Sequence, residues 1–209
     1  LIALLNNDTR VDARWLELLV NVMQSDERIG ICASKMFLMH NPTILDSTGH
    51  VFQDGFIRDR GTGEYDRGQY DAQTIVVGGC AGATLYRRKM LESIGLFDET
   101  FGFFYEDADL SWRAFRHGWQ ARFVPQAIVY HVRGGSVRST SEVEARLTRK
   151  GRVNFFRLLQ RHASLRQRLL LTLIWCKEML RDFFVFVMKG KKNNESYPTK
   201  IFDLWFRRW

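Results

Sequence analysis

The 209-residue chain is 45% hydrophobic and 13% aromatic, and its 31 Lys and Arg against 23 Asp and Glu give a formal net charge of +8. A chain of this size and apolar content buries a core as one domain plus an extension, and three prolines without a low-complexity run exclude disorder. Cys32, Cys80 and Cys176 are too few, and odd in number, for a disulfide framework, and they show no paired metal spacing, which fits a reducing compartment.

Residues 1–9, Leu-Ile-Ala-Leu-Leu-Asn-Asn-Asp-Thr, run apolar and then break into Asn6, Asn7 and Asp8. This predicts a strand over 2–5 of the buried parallel kind, with polar ligands at its carboxyl end, where α/β sheets place them. Asp8 serves equally as the N-cap of the helix expected over 13–23. A strand over 29–38 follows, then extended segments at 51–57 and 75–77. Between those two, residues 58–71 are rich in Gly, Asp and Arg and read as a mobile loop able to fold over a substrate. Gly78, Gly79 and Gly82 let a backbone approach a ligand closely, or mark an ordinary tight turn or bulge. Cys80 among them reads as a small buried residue rather than a nucleophile.

A strand over 83–86 and a helix over 88–93 come next, with Arg87, Arg88 and Lys89 either reaching an anionic ligand or forming a solvated face. Residues 103–113, Phe-Phe-Tyr-Glu-Asp-Ala-Asp-Leu-Ser-Trp-Arg, put Glu106, Asp107 and Asp109 in the first turn of a helix over 107–117. Three acids so close repel one another unless something positive compensates them: a metal, the helix N-terminus, a cation such as Arg113, or a substrate proton in transit. An acidic helix cap is the plainer reading. Leu110, Trp112 and Phe115 give that helix an apolar side. Trp112 and Trp119 could stack on a ligand ring, though Trp112 reads better as core. Strands over 121–124 and 128–131 complete the domain and deliver His131 just before Gly134. A lone histidine is usually structural, yet a carboxylate at one strand end and an imidazole at another suit Mn²⁺ or Mg²⁺ bound to a diphosphate. The element order predicts a mixed sheet with helices on its faces.

Beyond residue 132 the character changes. Residues 133–209 carry 18 Lys and Arg against 6 Asp and Glu, so the whole positive surplus lies there. Helices are expected over 141–162 and 165–188. The second has strongly apolar stretches interrupted by Lys177, Glu178, Arg181 and Asp182, too charged to span a bilayer. It suits an amphipathic helix in a membrane interface, with Arg161, Arg166, Arg168 and Lys189 at the headgroups and aromatic anchors at 202–209. Packing on its own domain or on a second subunit is the other reading. Nucleic acid is not expected, because the aromatic-basic interleaving of such sites is missing.

Five segments together resemble a family 2 glycosyltransferase: Leu-Leu-Asn-Asn-Asp-Thr at 4–9, Gly-Gly-Cys-Ala-Gly-Ala at 78–83, Gly-Leu-Phe-Asp-Glu at 95–99, Tyr-Glu-Asp-Ala-Asp-Leu-Ser-Trp-Arg at 105–113 and Val-Tyr-His at 129–131. The likeness is to bacterial rhamnosyltransferase-like members that build surface polysaccharides. Each piece is weak alone; five in this order, across 1–135, are specific. The resemblance implies an α/β GT-A fold, Rossmann-like with a mixed sheet, and inverting transfer from a nucleotide-sugar donor with Mn²⁺ or Mg²⁺. By the same resemblance, Asn7 and Asp8 fall on the metal-binding Asp-X-Asp position, with Asp8 as direct ligand, and His131 on a further metal-ligand position found in some relatives. Asn6 and Asn7 stand in place of acids, which implies a weaker or more Mg²⁺-tolerant site. Asp107 falls on the catalytic base, with Glu106 beside it, while Asp109 and Arg113 organise the loop or touch the acceptor. Gly78, Gly79, Cys80 and Ala81 line the donor and acceptor pocket, with Trp112 a further substrate contact.

A GT-A domain opens with a nucleotide-binding βαβ half, which residues 1–209 lack. The sequence therefore reads as the carboxyl-terminal part of a longer transferase, with residues 1–135 the metal, acceptor and base portion and 136–209 a basic helical extension. The expected acceptor is a glycan or lipid-linked glycan, and residues 161–209 are expected to touch the cytoplasmic face of the plasma membrane. Two rivals differ in class: a non-catalytic membrane-associated fragment lacking its donor half, and a metal-dependent hydrolase of sugar nucleotides.

Overall fold

The computed structural model describes residues 1–53, 56–133, 141–169, 172–173, 176–177 and 180; for 141–146 and 148 it describes the backbone only. The elements run β1 (Ile2–Leu5), β2 (Thr9–Val11), α1 (Trp15–Ser25), β3 (Ile29–Leu38), β4 (Asn41–Ser47), β5 (His50–Gln53), β6 (Phe56–Asp59), β7 (Ile75–Val76), β8 (Ala83–Tyr86), α2 (Arg88–Ile94), α3 (Glu106–Arg116), β9 (Gln120–His131) and α4 (Ser141–His162). Among the described residues seven strands form one mixed sheet in the order β1-β8-β3-β9-β2, with β4 on β3 and β7 on β9, while β5 and β6 form a separate hairpin. The β3–β9 pair is parallel and the other pairs are antiparallel.

β3 is buried along nearly its whole length, which its near-continuous apolar run dictates for a strand covered on both faces. One face carries α1, whose Trp15, Leu19 and Met23 pack against Ile29, Cys32, Met36 and Val129. Trp15 Nε1 also donates to the buried Ser34 hydroxyl at 2.8 Å. The other face carries α2 and α3, with Met90, Leu91, Leu110 and Ala114 against Ile31, Tyr86 and Phe123. A third cluster joins Ile57 of β6 and Phe101 to Ala108 and Trp112 of α3 and Leu158 of α4.

Four features differ from the sequence-based expectation. β1 is not a buried parallel strand but the outer strand of the sheet, antiparallel to β8 and largely exposed, because an apolar run reports neither pairing direction nor neighbours. β2 and β4 were not expected; one is three residues long and the other contains Pro42 and polar residues. The two strands expected over 121–131 are one, β9, whose register against β3 jumps from Val124 to Ile128 around Pro125, a residue without an amide hydrogen to give to the ladder. The segment expected to be a mobile loop is folded onto the sheet: Lys35, buried at 5% exposure, ion-pairs with Asp66 at 2.7 Å and Asp71 at 2.8 Å. Arg60 in the same segment is buried between the Tyr70 and Phe123 rings and donates to Thr48 and to the Gln73 carbonyl. Buried cations of this kind demand partners, so they pin the segment that supplies them.

The chain forms two compact units, Leu1–Leu158 and Leu159–Trp209. In the second, 165–169 is helical and Leu165, Leu169, Leu173 and Leu180 are exposed. No described helix is long and apolar enough to cross a membrane. The expected helix beyond residue 180, the lysines at 189–192 and the aromatic anchors at 202–209 lie outside the described residues.

Candidate active site

Antiparallel pairing of β2 with β9 sets Thr9 opposite His131, and the amide of Val132 donates to the carbonyl of Asp8 at 2.9 Å. Register alone therefore brings two side chains from opposite ends of the domain sequence together: Asp8 Oδ1 lies 3.3 Å from His131 Nε2. The other ring nitrogen, Nδ1, is 2.7 Å from Oδ2 of Asp46, a buried carboxylate of β4 that forms an ion pair with Arg133, its Oδ1 2.9 Å from Nε. The Asp46 hydrogen bond raises the His131 pKa, with burial opposing it. A carboxylate on one ring nitrogen fixes the ring and turns the other nitrogen outward, as outer-shell carboxylates do for metal-bound histidines. Among the described residues no group of three or more His, Cys, Asp or Glu is placed to hold a metal ion. Asp8 and His131 thus form a two-donor set, which suits an ion such as Mg²⁺ that takes one or two protein ligands and fills its shell with phosphate oxygens and water. Asn7 lies exposed in the turn between β1 and β2.

A second group forms where α3 begins. The backbone arrives through two non-glycine residues in the left-handed region, Phe104 at φ +72° and Tyr105 at φ +69°, a conformation that costs energy and clusters at functional sites. Glu106 and Asp107 follow in the first turn, where the helix dipole favours negative charge. Asp107 is held by two amides: Oδ2 accepts from Ala81 N at 3.0 Å and Oδ1 from its neighbour Ala108 N at 2.8 Å. The buried His50 ring stands beside it, Nε2 at 3.9 Å from Asp107 Oδ2 and 3.5 Å from Asp59 Oδ1, with Nδ1 3.0 Å from the Ser111 hydroxyl. Asp59 also accepts from the Ser47 hydroxyl at 2.7 Å, and burial pushes its carboxyl up, partly offset by His50. Glu106 is pushed up to about 7, first by burial and then by the Asp107 charge, with Lys150 pulling the other way. Its Oε2 is buried without a hydrogen-bond partner among the described residues.

The two groups are a carboxylate held by two amides at the start of α3, and a carboxylate–imidazole pair where β2 meets β9. A family model described as glycosyl transferase family group 2 matches residues 1–193. The chain belongs to that family. No curated protein matches it significantly. As a family 2 glycosyltransferase it uses a nucleotide-sugar donor and an acceptor, and its mixed sheet with helices on both faces is a GT-A-like domain.

In this glycosyltransferase the segment 78–82 threads between the two groups. The Asn6 amide donates to the Gly82 carbonyl at 2.9 Å on one side, and Ala81 holds Asp107 on the other. The glycines are small because protein packs against them: a Cβ on Gly78 would lie 1.9 Å from Ser111 Oγ, and one on Gly79 would lie 2.7 Å from Thr84 Oγ1. Cys80 is half-buried, and its thiol is pushed well above the ordinary range by burial and by the carboxylates around it.

Other expected site residues serve the scaffold. Asp109 is fully buried and pairs with Arg113 at 2.8 Å, and the Arg113 guanidinium donates to the carbonyls of Ile94, Gly95 and Leu96. Of the two roles open to this pair, organising the loop is the one these bonds account for. Trp112 is buried beside Ala108 and Leu158, with Phe52 edge-on at 5.3 Å, which is a core position. Arg87 likewise does not face an acceptor: its guanidinium bonds the carbonyls of Met23, Asp26 and Ile29 below α1. The sequence reading missed His50, Asp59, Asp46, Ser47 and Ser111. For Asp46, Ser47 and His50 the one sequence signal is the polar run Asp46-Ser47-Thr48-Gly49-His50; Asp59 and Ser111 carry none of this kind.

Proposed function

We propose that this glycosyltransferase moves a sugar, rhamnose in the first instance, with inversion from a nucleotide diphosphate sugar to a hydroxyl of a lipid-linked or polysaccharide acceptor in surface-glycan synthesis. Asp107 is the base: its carboxylate takes the acceptor hydroxyl proton as the oxygen bonds to the anomeric carbon, and the nucleoside diphosphate leaves from the opposite face. The amides of Ala81 and Ala108 hold that carboxylate in one orientation. Asp8 and His131, with Asn7 in the adjoining turn as a further oxygen donor, would hold Mn²⁺ or Mg²⁺, which when bound supplies positive charge to the departing diphosphate. Asp46 orients His131 for this. The basic segment after residue 132, with the exposed Leu165, Leu169 and Leu173, rests on the cytoplasmic leaflet that carries the acceptor.

The observation that supports this reading is the pairing of a doubly amide-held carboxylate at the N-terminus of α3 with a separate Asp8–His131 pair at the β2–β9 strand ends. The experiment is transfer from a panel of nucleotide sugars with Mn²⁺ and a lipid diphosphate-linked acceptor, comparing Asp107→Asn with the parent. Transfer should fall by about 10²–10⁴-fold, the range of general-base catalysis, while calorimetric donor binding is unchanged. Equal loss of donor binding would make Asp107 a ligand instead. Free sugar released without acceptor would mark a hydrolase.

A further inference from the structure

The backbone that delivers Asp107 is strained, and one buried side chain holds it. Of the four residues 102–105, three have positive φ: Gly102 at +63°, Phe104 at +72° and Tyr105 at +69°. Glycine takes this conformation freely; an aromatic residue does not, and it persists there only if its surroundings impose it. The imposing group is Asn154 of α4, at 1% exposure. Its Nδ2 donates to three carbonyls of this loop, Phe101 at 2.7 Å, Phe103 at 2.8 Å and Phe104 at 3.0 Å. The direction of the amide is fixed from behind: Oδ1 accepts from Arg157 Nη1 at 2.8 Å, so the NH₂ must face the loop. Arg157 also donates to the Thr100 carbonyl and lies over the Phe101 ring.

We infer that Asn154 is a positioning residue for the catalytic base: it clamps the left-handed turn of residues 102–105 and so sets where Glu106 and Asp107 emerge into the site. The clamp and the base are linked through few bonds. Tyr105 is the residue before α3, its carbonyl accepts the amide of Asp109 at 2.9 Å, and Asp107 is the second residue of that helix. If the turn relaxed, the Asp107 carboxylate would leave the Ala81 amide, and small displacements of a catalytic group cost rate steeply. Its own side-chain contacts, the Phe103–Phe104 rings at 4.6 Å and Tyr105–Phe155 at 5.7 Å, do not bond the carbonyls that the turn points inward.

This inference rests on Asp107 being the base, and its test separates the two. In the full chain, Asn154→Ala should lower kcat for transfer at least tenfold with donor KM within twofold. Hydrogen exchange at the amides of 105–109 should quicken whether or not Asp107 is the base. Phe104→Gly, which adopts the left-handed turn without strain, should restore at least part of the lost kcat and protection when combined with Asn154→Ala. Unchanged exchange at 105–109, a loss confined to KM, or no rescue by Phe104→Gly overturns the clamp. If Asn154→Ala does not fold, Arg157→Gln decides: it frees the amide to rotate, so a lower kcat with an unchanged Tm supports the clamp, and an unchanged kcat refutes it. Lost protection with normal kcat in Asn154→Ala would keep the turn-holding role but sink the link to the base.

Discussion

The His50 ring stands between two carboxylates, 3.5 Å from Asp59 and 3.9 Å from Asp107, and its far nitrogen meets Ser111 at 3.0 Å. His50 is the side chain placed between these two carboxylates. His50→Ala should leave the half-buried Asp59 beside Asp107 with, among the described residues, the Ser47 hydroxyl as its hydrogen-bond partner, which costs about 1 kcal/mol, the low end of the penalty for removing one partner of a buried polar pair. Asp59→Asn in the same background removes one of the repelling charges, so it should recover part of that loss. Urea denaturation of the two single variants and the double gives the coupling energy; strict additivity would show that His50 and Asp59 do not interact.

Glu106 gives a stability dependence whose sign follows from its pKa. Its carboxyl is pushed up to about 7 from 4.5, so the folded chain binds this proton more tightly than the unfolded chain does. The proton costs nothing below the unfolded value, and stability falls as pH rises through the window from about 4.5 to about 7. Glu106→Gln keeps the shape and removes the ionisation. The variant should therefore match the parent in Tm near pH 4.5 and exceed it above pH 7.5, as read by thermal unfolding across that range. A parent that gains stability relative to Glu106→Gln on going to high pH would contradict the raised pKa.

Gly78 separates packing from ligand approach. A methyl there would meet the Ser111 side chain at 1.9 Å from Oγ and 2.2 Å from Cβ. Overpacking of this kind costs about 1–3 kcal/mol. Gly78→Ala should thus lower stability in the absence of any substrate, and Ser111→Gly should relieve it while Ser111→Ala should not, because the Cβ remains. A Gly78→Ala chain as stable as the parent but impaired in donor binding would instead give the glycine a ligand role.

What was legible in the sequence depended on the length of the signal. β3 and α4 coincide with the runs at 29–38 and 141–162, because long apolar or helical patterns survive any tertiary context. β2 is too short for a periodic signal, and Pro125 split β9 into two apparent strands. Asp8, Asp107 and His131 were expected site residues through segments with a family likeness, and the structure brings Asp8 to His131. His50, Asp46 and Asn154 were not, since each acts on residues far along the chain: His50 meets Ser111 across 61 positions, Asp46 meets His131 across 85, and Asn154 meets Phe101 across 53. A histidine in a short strand carries no local mark of which helix will lie against it. Asn154 is the sharpest case, because it sits on a helix read as part of a separate extension, whereas the first compact unit runs through Leu158.

Asp46 offers a test of the metal assignment that spares the proposed ligands themselves. Its Oδ2 is bonded to His131 Nδ1 at 2.7 Å and its Oδ1 forms an ion pair with Arg133 at 2.9 Å, so it is placed to orient the imidazole. If His131 Nε2 is a ligand, removing the carboxylate that fixes its ring should weaken metal binding by about 10–100-fold, the range for outer-shell partners of metal-bound histidines. Asp46→Asn should therefore need more Mn²⁺ for half-maximal transfer, and titration of Mn²⁺ followed by electron paramagnetic resonance should show the same weakening with donor diphosphate present. His131→Ala should weaken it further, and the double variant should be no worse than His131→Ala alone, because Asp46 acts through that ring. An additive loss would mean that Asp46 reaches the metal by another route, and an unchanged Mn²⁺ requirement in a folded His131→Ala chain would remove the imidazole from the metal site.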